Sequence, residues 1–254
     1  MHNLGTTVRY KIGSSLNLAI QSALASRLFP LTRYVPRGSY VWYDVQRFAG
    51  TRDLRILFDV GANTGQTAYS LTRYFPSADL YCFEPAKGPF AVLRSKYGHL
   101  PNVRCVHAAL GARRETLPLY VNQNSELNTL VRDGYRGHHT VEEAAVDTID
   151  DFCEANSIEA IDILKIDVQG WEIAVLDGAR RMISHGKVRF VFAEAGFGAE
   201  ENDMTPFCKL HPRLLRDGFH FCGLYDAFRW GPIKDRVYFA NALYCFPQSL
   251  SPRR

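Results

Sequence analysis

Short, nearly continuous apolar runs alternate with amphipathic stretches over the middle of the chain, and glycine or proline punctuates each change. Ile56–Val60, 80–83, 103–108, Ile161–Ile166 and 188–193 read as strands buried on both faces, because each is apolar and too short for a helix. Residues 64–74, stopped by Pro76, and residues 90–97 and 171–183 carry helical spacing between them. This alternation predicts an α/β fold with a doubly wound, Rossmann-like parallel sheet covered by helices. The end of the chain departs from that rhythm. Residues 219–225 and 237–246 read as strands, and the turn-rich 226–235 between them leaves no room for a crossover helix. They are expected to pair antiparallel, closing a mostly parallel sheet with a C-terminal hairpin.

The first fifty residues follow another pattern and are read as an N-terminal helical extension, 1–50, preceding a main domain over 51–254. Ser14 and Ser15 cap a helix whose Leu16, Ile20, Ala23, Leu24 and Leu28 share one face, and Pro30 ends it. Arg27 is its single charge, whereas membrane-surface helices carry a strongly charged face. The expectation is therefore a helix packed on its own domain or on a second copy, a homodimer contact. Pro36-Arg37-Gly38 forms a turn, and residues 40–48 lead into the main domain.

Composition changes this picture little. Thirty Lys and Arg against 26 Asp and Glu leave a net charge of +4, too mild for the concentrated basic face of a nucleic-acid binder. The six cysteines form no CxxC pair, so free thiols in a reducing cytosol are expected. No secretory leader and no apolar run of roughly 20 residues is visible, which predicts no integral membrane segment and a cytoplasmic protein.

The strongest chemical signal is Phe58-Asp59-Val60-Gly61-Ala62-Asn63-Thr64-Gly65, where a strand ends, glycines permit a tight turn and a helix begins. In a doubly wound sheet this turn lies at the carboxyl edge, where ligands collect. Gly61 and Gly65 would let a bulky cofactor approach the backbone. Asp59 would repel a pyrophosphate and welcome a ligand carrying an ammonium group, and the glycine spacing misses the G-x-G-x-x-G of a dinucleotide site. Glu84, at the end of the second strand, has the position of an acid that accepts both hydroxyls of an adenosine ribose. Together the two acids favour S-adenosylmethionine over a nicotinamide cofactor.

A second cluster runs from Ile161 to Glu172. Lys165 and Asp167 are two apart on a strand and face one side, and Asp167 should project into the cleft. Glu194 ends the neighbouring strand. The two carboxylates would suit Mg²⁺ or Mn²⁺ through hard oxygen ligands, or else Lys165 and Asp167 form an ion pair and Glu194 bonds a loop. Residues 121–145 read as a long polar connection of the kind that forms lids, and His139 within it is a candidate base for deprotonating an alcohol.

FDVGANTGQTA, YCFEP, the segment from Asn102 to Gly111, VDTIDDF, IDILKIDVQGWEIAVLDGA and the final DGFHFCGLYDAFRWGPIKDRVYFANALY together resemble the FkbM-type methyltransferases over about residues 36–246. The resemblance implies a class I S-adenosylmethionine-dependent fold and methyl transfer to an alcohol oxygen, commonly on a sugar or a polyketide. It puts Asp59, Gly61, Asn63 and Gly65 around the methionine half of the cofactor and Glu84 on the ribose. Asn63 stands where many class I enzymes outside the family carry glycine. The expected activity is O-methylation of a sugar hydroxyl on a small-molecule or oligosaccharide acceptor. Asp167 would be the central acid, Lys165 its neutralising partner and Glu194 a metal ligand or orienting group. Tailoring of a polyketide or other small natural product is the alternative within the enzyme class. A non-catalytic cofactor-binding partner subunit is the alternative outside it.

Overall fold

A computed structural model describes residues 35–131, 139–198 and 204–247. The helix expected between Ser14 and Leu28, and the dimer contact assigned to it, lie outside these residues. The strands in chain order are β1 (Ile56–Val60), β2 (Asp79–Phe83), β3 (Val103–Val106), β4 (Ala109–Leu110), β5 (Glu115–Asn122), β6 (His139–Asp147), β7 (Ile161–Ile166), β8 (Val188–Gly196), β9 (His220–Trp230) and β10 (Arg236–Cys245). Seven of them form one sheet in the order β3-β2-β1-β7-β8-β10-β9. The first five are parallel neighbours, while β10 runs antiparallel to both β8 and β9. The doubly wound sheet with its C-terminal hairpin is the architecture expected.

The helices are α1 (Val41–Ala49), α2 (Gln66–Tyr74), α3 (Lys87–Tyr97), α4 (Ile149–Ala155), α5 (Glu172–Asp177), α6 (Arg180–Ser184) and α7 (Phe207–Arg216). The sheet separates two hydrophobic clusters. Phe58, Val60, Leu164, Ile166 and Val191 project into one, and Leu57, Leu80, Ile163, Phe190 and Leu243 into the other. Alternate residues of β1 and β7 thus serve opposite faces, which is why these strands read as unbroken apolar runs. Each fully buried side chain of this size contributes about 1.5–3 kcal/mol. The burial fixes strand register, and register places the strand ends that carry the acids.

Helix α1 belongs to the second cluster, with Val45 fully buried beside Leu57 and Leu71. Its Asp44 ties the helix to the far end of the chain. The buried carboxylate accepts the Gly38 N–H at 2.6 Å and the Tyr225 hydroxyl of β9 at 3.0 Å.

Three elements differ from the reading of the sequence. The stretch 171–183 is two helices, because the chain turns at Gly178. A Cβ there would run into the Gly111 carbonyl, and the Gly178 carbonyl instead accepts the Asp150 N–H at 2.9 Å. Of the expected loop 121–145, residues 139–145 belong to β6, which pairs antiparallel with β5 and parallel with β4 in a separate three-stranded sheet. Helix α7 has no counterpart in that reading, and it carries Pro212 in its interior.

Candidate active site

The carboxyl ends of β1, β2, β7 and β8 open onto a cavity of about 350 Å³. The end of β1 sets its edge. Gly61 takes φ +77°, a left-handed conformation, and a Cβ there would overlap the Asp167 carbonyl after β7. Its first requirement is therefore close packing of β1 on β7. Gly65, at φ +91°, packs on the Tyr97 ring and is not on the cavity wall. Asn63, also left-handed at φ 48°, lines the cavity and presents its amide oxygen to the Ser125 hydroxyl at 3.0 Å.

Asp59 is fully buried and lies behind the wall rather than on it. It pairs with Lys165, its register neighbour on β7, at 3.1 Å between Oδ1 and Nζ. Burial pushes the Asp59 carboxyl above its ordinary value, and Lys165 opposes that rise. For Lys165, burial works against the ammonium, but Asp59 and then Asp167 outweigh it and hold its pKa above the usual lysine range. Lys165 Nζ also lies 3.5 Å from Asp167 Oδ2 and donates to the Gly61 carbonyl at 3.3 Å. The buried pair thus aims one ammonium at the cavity edge, and Asp59 reaches any ligand through Lys165.

Glu84 is placed as the sequence predicts, on the cavity wall at the end of β2. Its Oε2 accepts the Asn63 N–H at 2.9 Å and its Oε1 the Ala86 N–H at 2.8 Å. Each oxygen keeps a lone pair for a further donor. Burial lifts its pKa to about 7, against the two backbone bonds.

Asp167 and Glu194 stand together as expected, but what joins them is Gln169, which the sequence reading does not single out. Its Nε2 donates to Asp167 Oδ1 at 3.0 Å and to Glu194 Oε2 at 2.9 Å. The reach depends on a left-handed backbone at Gln169, φ 49°, followed by Gly170 at φ 92°. The signal for it is the QG pair directly after Asp167. Burial first, then the charges of Asp167 and Glu172, raise the Glu194 pKa to about 9, so at neutral pH this group is protonated.

The donor set does not fit a divalent cation. Two carboxyl groups share one bridging amide, and among the described residues no three His, Cys, Asp or Glu side chains are grouped to hold a metal. The Mg²⁺ or Mn²⁺ expected from Asp167 and Glu194 therefore has no built site in this arrangement.

His139 begins β6 opposite Asn122, and its side chain lies outside the described residues. Residues 125–130, after β5, also line the cavity, and the Thr129 hydroxyl donates to the Gln169 carbonyl at 2.6 Å. Trp171 also lines the cavity, and its buried indole N–H has no hydrogen-bond partner among the described residues.

The charge of the wall is one-sided. Glu84, Glu126 and Asp167 face a single cation, Lys165, while Pro85, Leu110, Leu119 and Leu130 make an apolar flank beside Glu84. Such a wall favours a ligand with a positive centre and an apolar ring, and disfavours a pyrophosphate.

Comparisons with known proteins agree with the geometry. The model of the methyltransferase FkbM domain matches residues 59–221. A 2-O-methyltransferase NoeI from Sinorhizobium fredii (strain NBRC 101917 / NGR234) is 27% identical over 153 residues, covering 55% of this chain and 62% of that protein. The crystal structure of a methyltransferase FkbM from Methylobacillus flagellatus KT shares the fold, with a TM-score of 0.52 and 17% identity over 89% of this chain and 48% of that one. The chain thus spans less than two thirds of either relative. No helix among the described residues is long and apolar enough to cross a membrane. With the family's domain matched over more than half of this chain and the doubly wound sheet in place beneath it, the chain belongs to the FkbM methyltransferase family.

Proposed function

We propose that the protein is an S-adenosylmethionine-dependent O-methyltransferase whose acceptor is a hydroxyl of a sugar. The observation that carries this reading is the acidic wall at the carboxyl edge of the sheet, with Glu84 holding two free lone pairs beside an apolar flank. That wall accommodates adenosine at Glu84 and a cationic sulfonium towards Asp167. The 2-O-methylation for which the NoeI relative is named is consistent with a hydroxyl acceptor.

When bound, S-adenosylmethionine supplies a methyl group on a positively charged sulfur. The chain's own residues do the rest. Asp167 would accept the proton of the acceptor hydroxyl as that oxygen takes the methyl group which the bound donor would give up, leaving as its neutral thioether. Lys165 holds the Asp167 carboxylate in place at 3.5 Å, and Asp59 fixes Lys165 from behind. Gln169 sets the other Asp167 oxygen. Alignment of donor and acceptor supplies much of the remaining rate.

The direct test is transfer of a labelled methyl group from S-adenosylmethionine to a panel of methyl glycosides. Transfer is expected, and it should persist in excess EDTA because the donor set lacks a metal cage. A protein that binds the donor and methylates none of the panel would refute the acceptor class.

Donor binding should also depend on pH in a defined direction. Ionised Glu84 accepts a hydroxyl on each oxygen, and protonation spends one of those positions on a proton. Affinity for S-adenosylhomocysteine is therefore expected to rise as pH increases through about 7, where Glu84 ionises. In Glu84→Gln the affinity should drop by about tenfold or more, the weight of a lost charged hydrogen bond, and the slope through that range should flatten. Isothermal titration at several pH values reads both effects, and an unchanged slope in the variant would remove Glu84 from the ribose.

A further inference from the structure

A second cavity, about 220 Å³, lies against the first. The two share Gln66, Thr67, Lys165, Asp167 and Asn241. Asp167 and Lys165 thus stand between two spaces, one of which carries the donor under the proposed function. We infer that the second cavity is the acceptor subsite and that it holds one sugar ring.

Position is the first argument. Displacement at a methyl carbon requires the attacking oxygen and the leaving sulfur on opposite sides of it. A hydroxyl entering from the second cavity meets Asp167 from the side away from the first.

Size and chemistry point to the ring. The volume falls below the roughly 300–1,000 Å³ of pockets for drug-sized ligands, which suits a single ring over a polycyclic scaffold. Tyr74, 4% exposed, lines this cavity, and its hydroxyl has no partner among the described residues. A buried hydroxyl left unpaired is costly, and a ligand hydroxyl cancels that cost. Asp226 brings a solvent-accessible carboxylate from β9, held at φ 51° in the left-handed region that side chains seldom adopt. Trp42 supplies apolar surface, because its indole N–H is already given to Ser70 Oγ at 2.9 Å. An apolar wall with hydroxyl and carboxylate groups around it is the complement of a pyranose, which presents C–H faces and a rim of hydroxyls.

The placement in the chain agrees. Trp42, Asp226 and Asn241 all lie outside residues 59–221, the stretch the family model matches, whereas Glu84, Lys165, Asp167 and Gln169 lie inside it. Donor handling is thus written in the shared segment, and α1 and the C-terminal hairpin that flank it add Trp42, Asp226 and Asn241 to an acceptor wall whose Tyr74 and Asp167 come from within it.

The test uses the full chain saturated with S-adenosylhomocysteine and the methyl glycosides of glucose, galactose, mannose and rhamnose as ligands. Saturation-transfer-difference NMR should detect binding of at least one. In Tyr74→Phe and in Asp226→Asn the glycoside dissociation constant should rise by about tenfold, as for one lost hydrogen bond. Affinity for S-adenosylhomocysteine by calorimetry should stay at the wild-type value in both variants. The inference is overturned if no glycoside binds the loaded wild type, or if both variants bind it as the wild type does. Failure of S-adenosylhomocysteine itself to bind would bring down the donor reading and this inference together.

Discussion

Replacing Lys165 by methionine is expected to lower the unfolding free energy by about 3–5 kcal/mol, the range for removing one member of a buried ion pair. The side chains of Lys165 and Asp59 are 5% and 0% exposed, and Asp59 Oδ2 has no hydrogen-bond partner among the described residues, so no neighbouring group replaces the ammonium. The loss should depend on pH. Without Lys165, burial raises the Asp59 pKa in the folded state above its ordinary 3.8. A carboxyl raised on folding stabilises the fold below its unfolded pKa, and that contribution drains away as pH climbs through the folded value. The variant should therefore be closest to wild type in acid and fall behind above about pH 4. The double variant Asp59→Asn, Lys165→Met removes both charges and should recover a large part of the loss. Urea denaturation measures all three. A loss under about 1 kcal/mol, the worth of a surface pair, would show that the pair is solvated and that Asp59 does not support Lys165.

Changing Asp167 to asparagine should reduce kcat for methyl transfer by about 10²–10⁴, the contribution of a positioned proton acceptor. The amide keeps the shape of the side chain but cannot take the hydroxyl proton. Affinity for S-adenosylhomocysteine should change little, because the adenosine side of the cavity is held by Glu84 and the apolar flank. The corresponding change at Glu194, to glutamine, should cost less. At neutral pH that group is already protonated and acts by orienting Gln169. Steady-state kinetics with labelled donor, read beside calorimetry, separate the two. Wild-type kcat in Asp167→Asn would assign proton removal to another group, or to solvent.

Much of this arrangement is legible in the order of the residues. Runs such as ILFDV and IDILKI are apolar at nearly every position, which marks strands buried on both faces, and the acid or glycine that ends such a run lies at the carboxyl edge of a parallel sheet. Glu84, Asp167 and Glu194 are marked in this way. The antiparallel hairpin follows from a connection too short to cross the sheet. All of these are local signals, set by periodicity and by the chain's own reach.

Tertiary structure decided what each residue touches. Alternation placed Lys165 beside Asp167, but only the parallel pairing of β1 with β7 puts Asp59 against Lys165 and behind the cavity wall. Gln169 becomes a bridge between two acids through a left-handed backbone that a non-glycine residue seldom takes. The part of the expected loop that belongs to β6 is hidden from a local reading because that strand is paired with β4 and β5, distant partners that no short window contains. Tyr74 and Asp226 come from α2 and β9, distant in the chain, and meet around one cavity because helices and edge strands pack where the buried sheet faces direct them. Local chemistry thus fixed which atoms stand at the sheet edge, and long-range packing, which no short window of residues encodes, decided their partners.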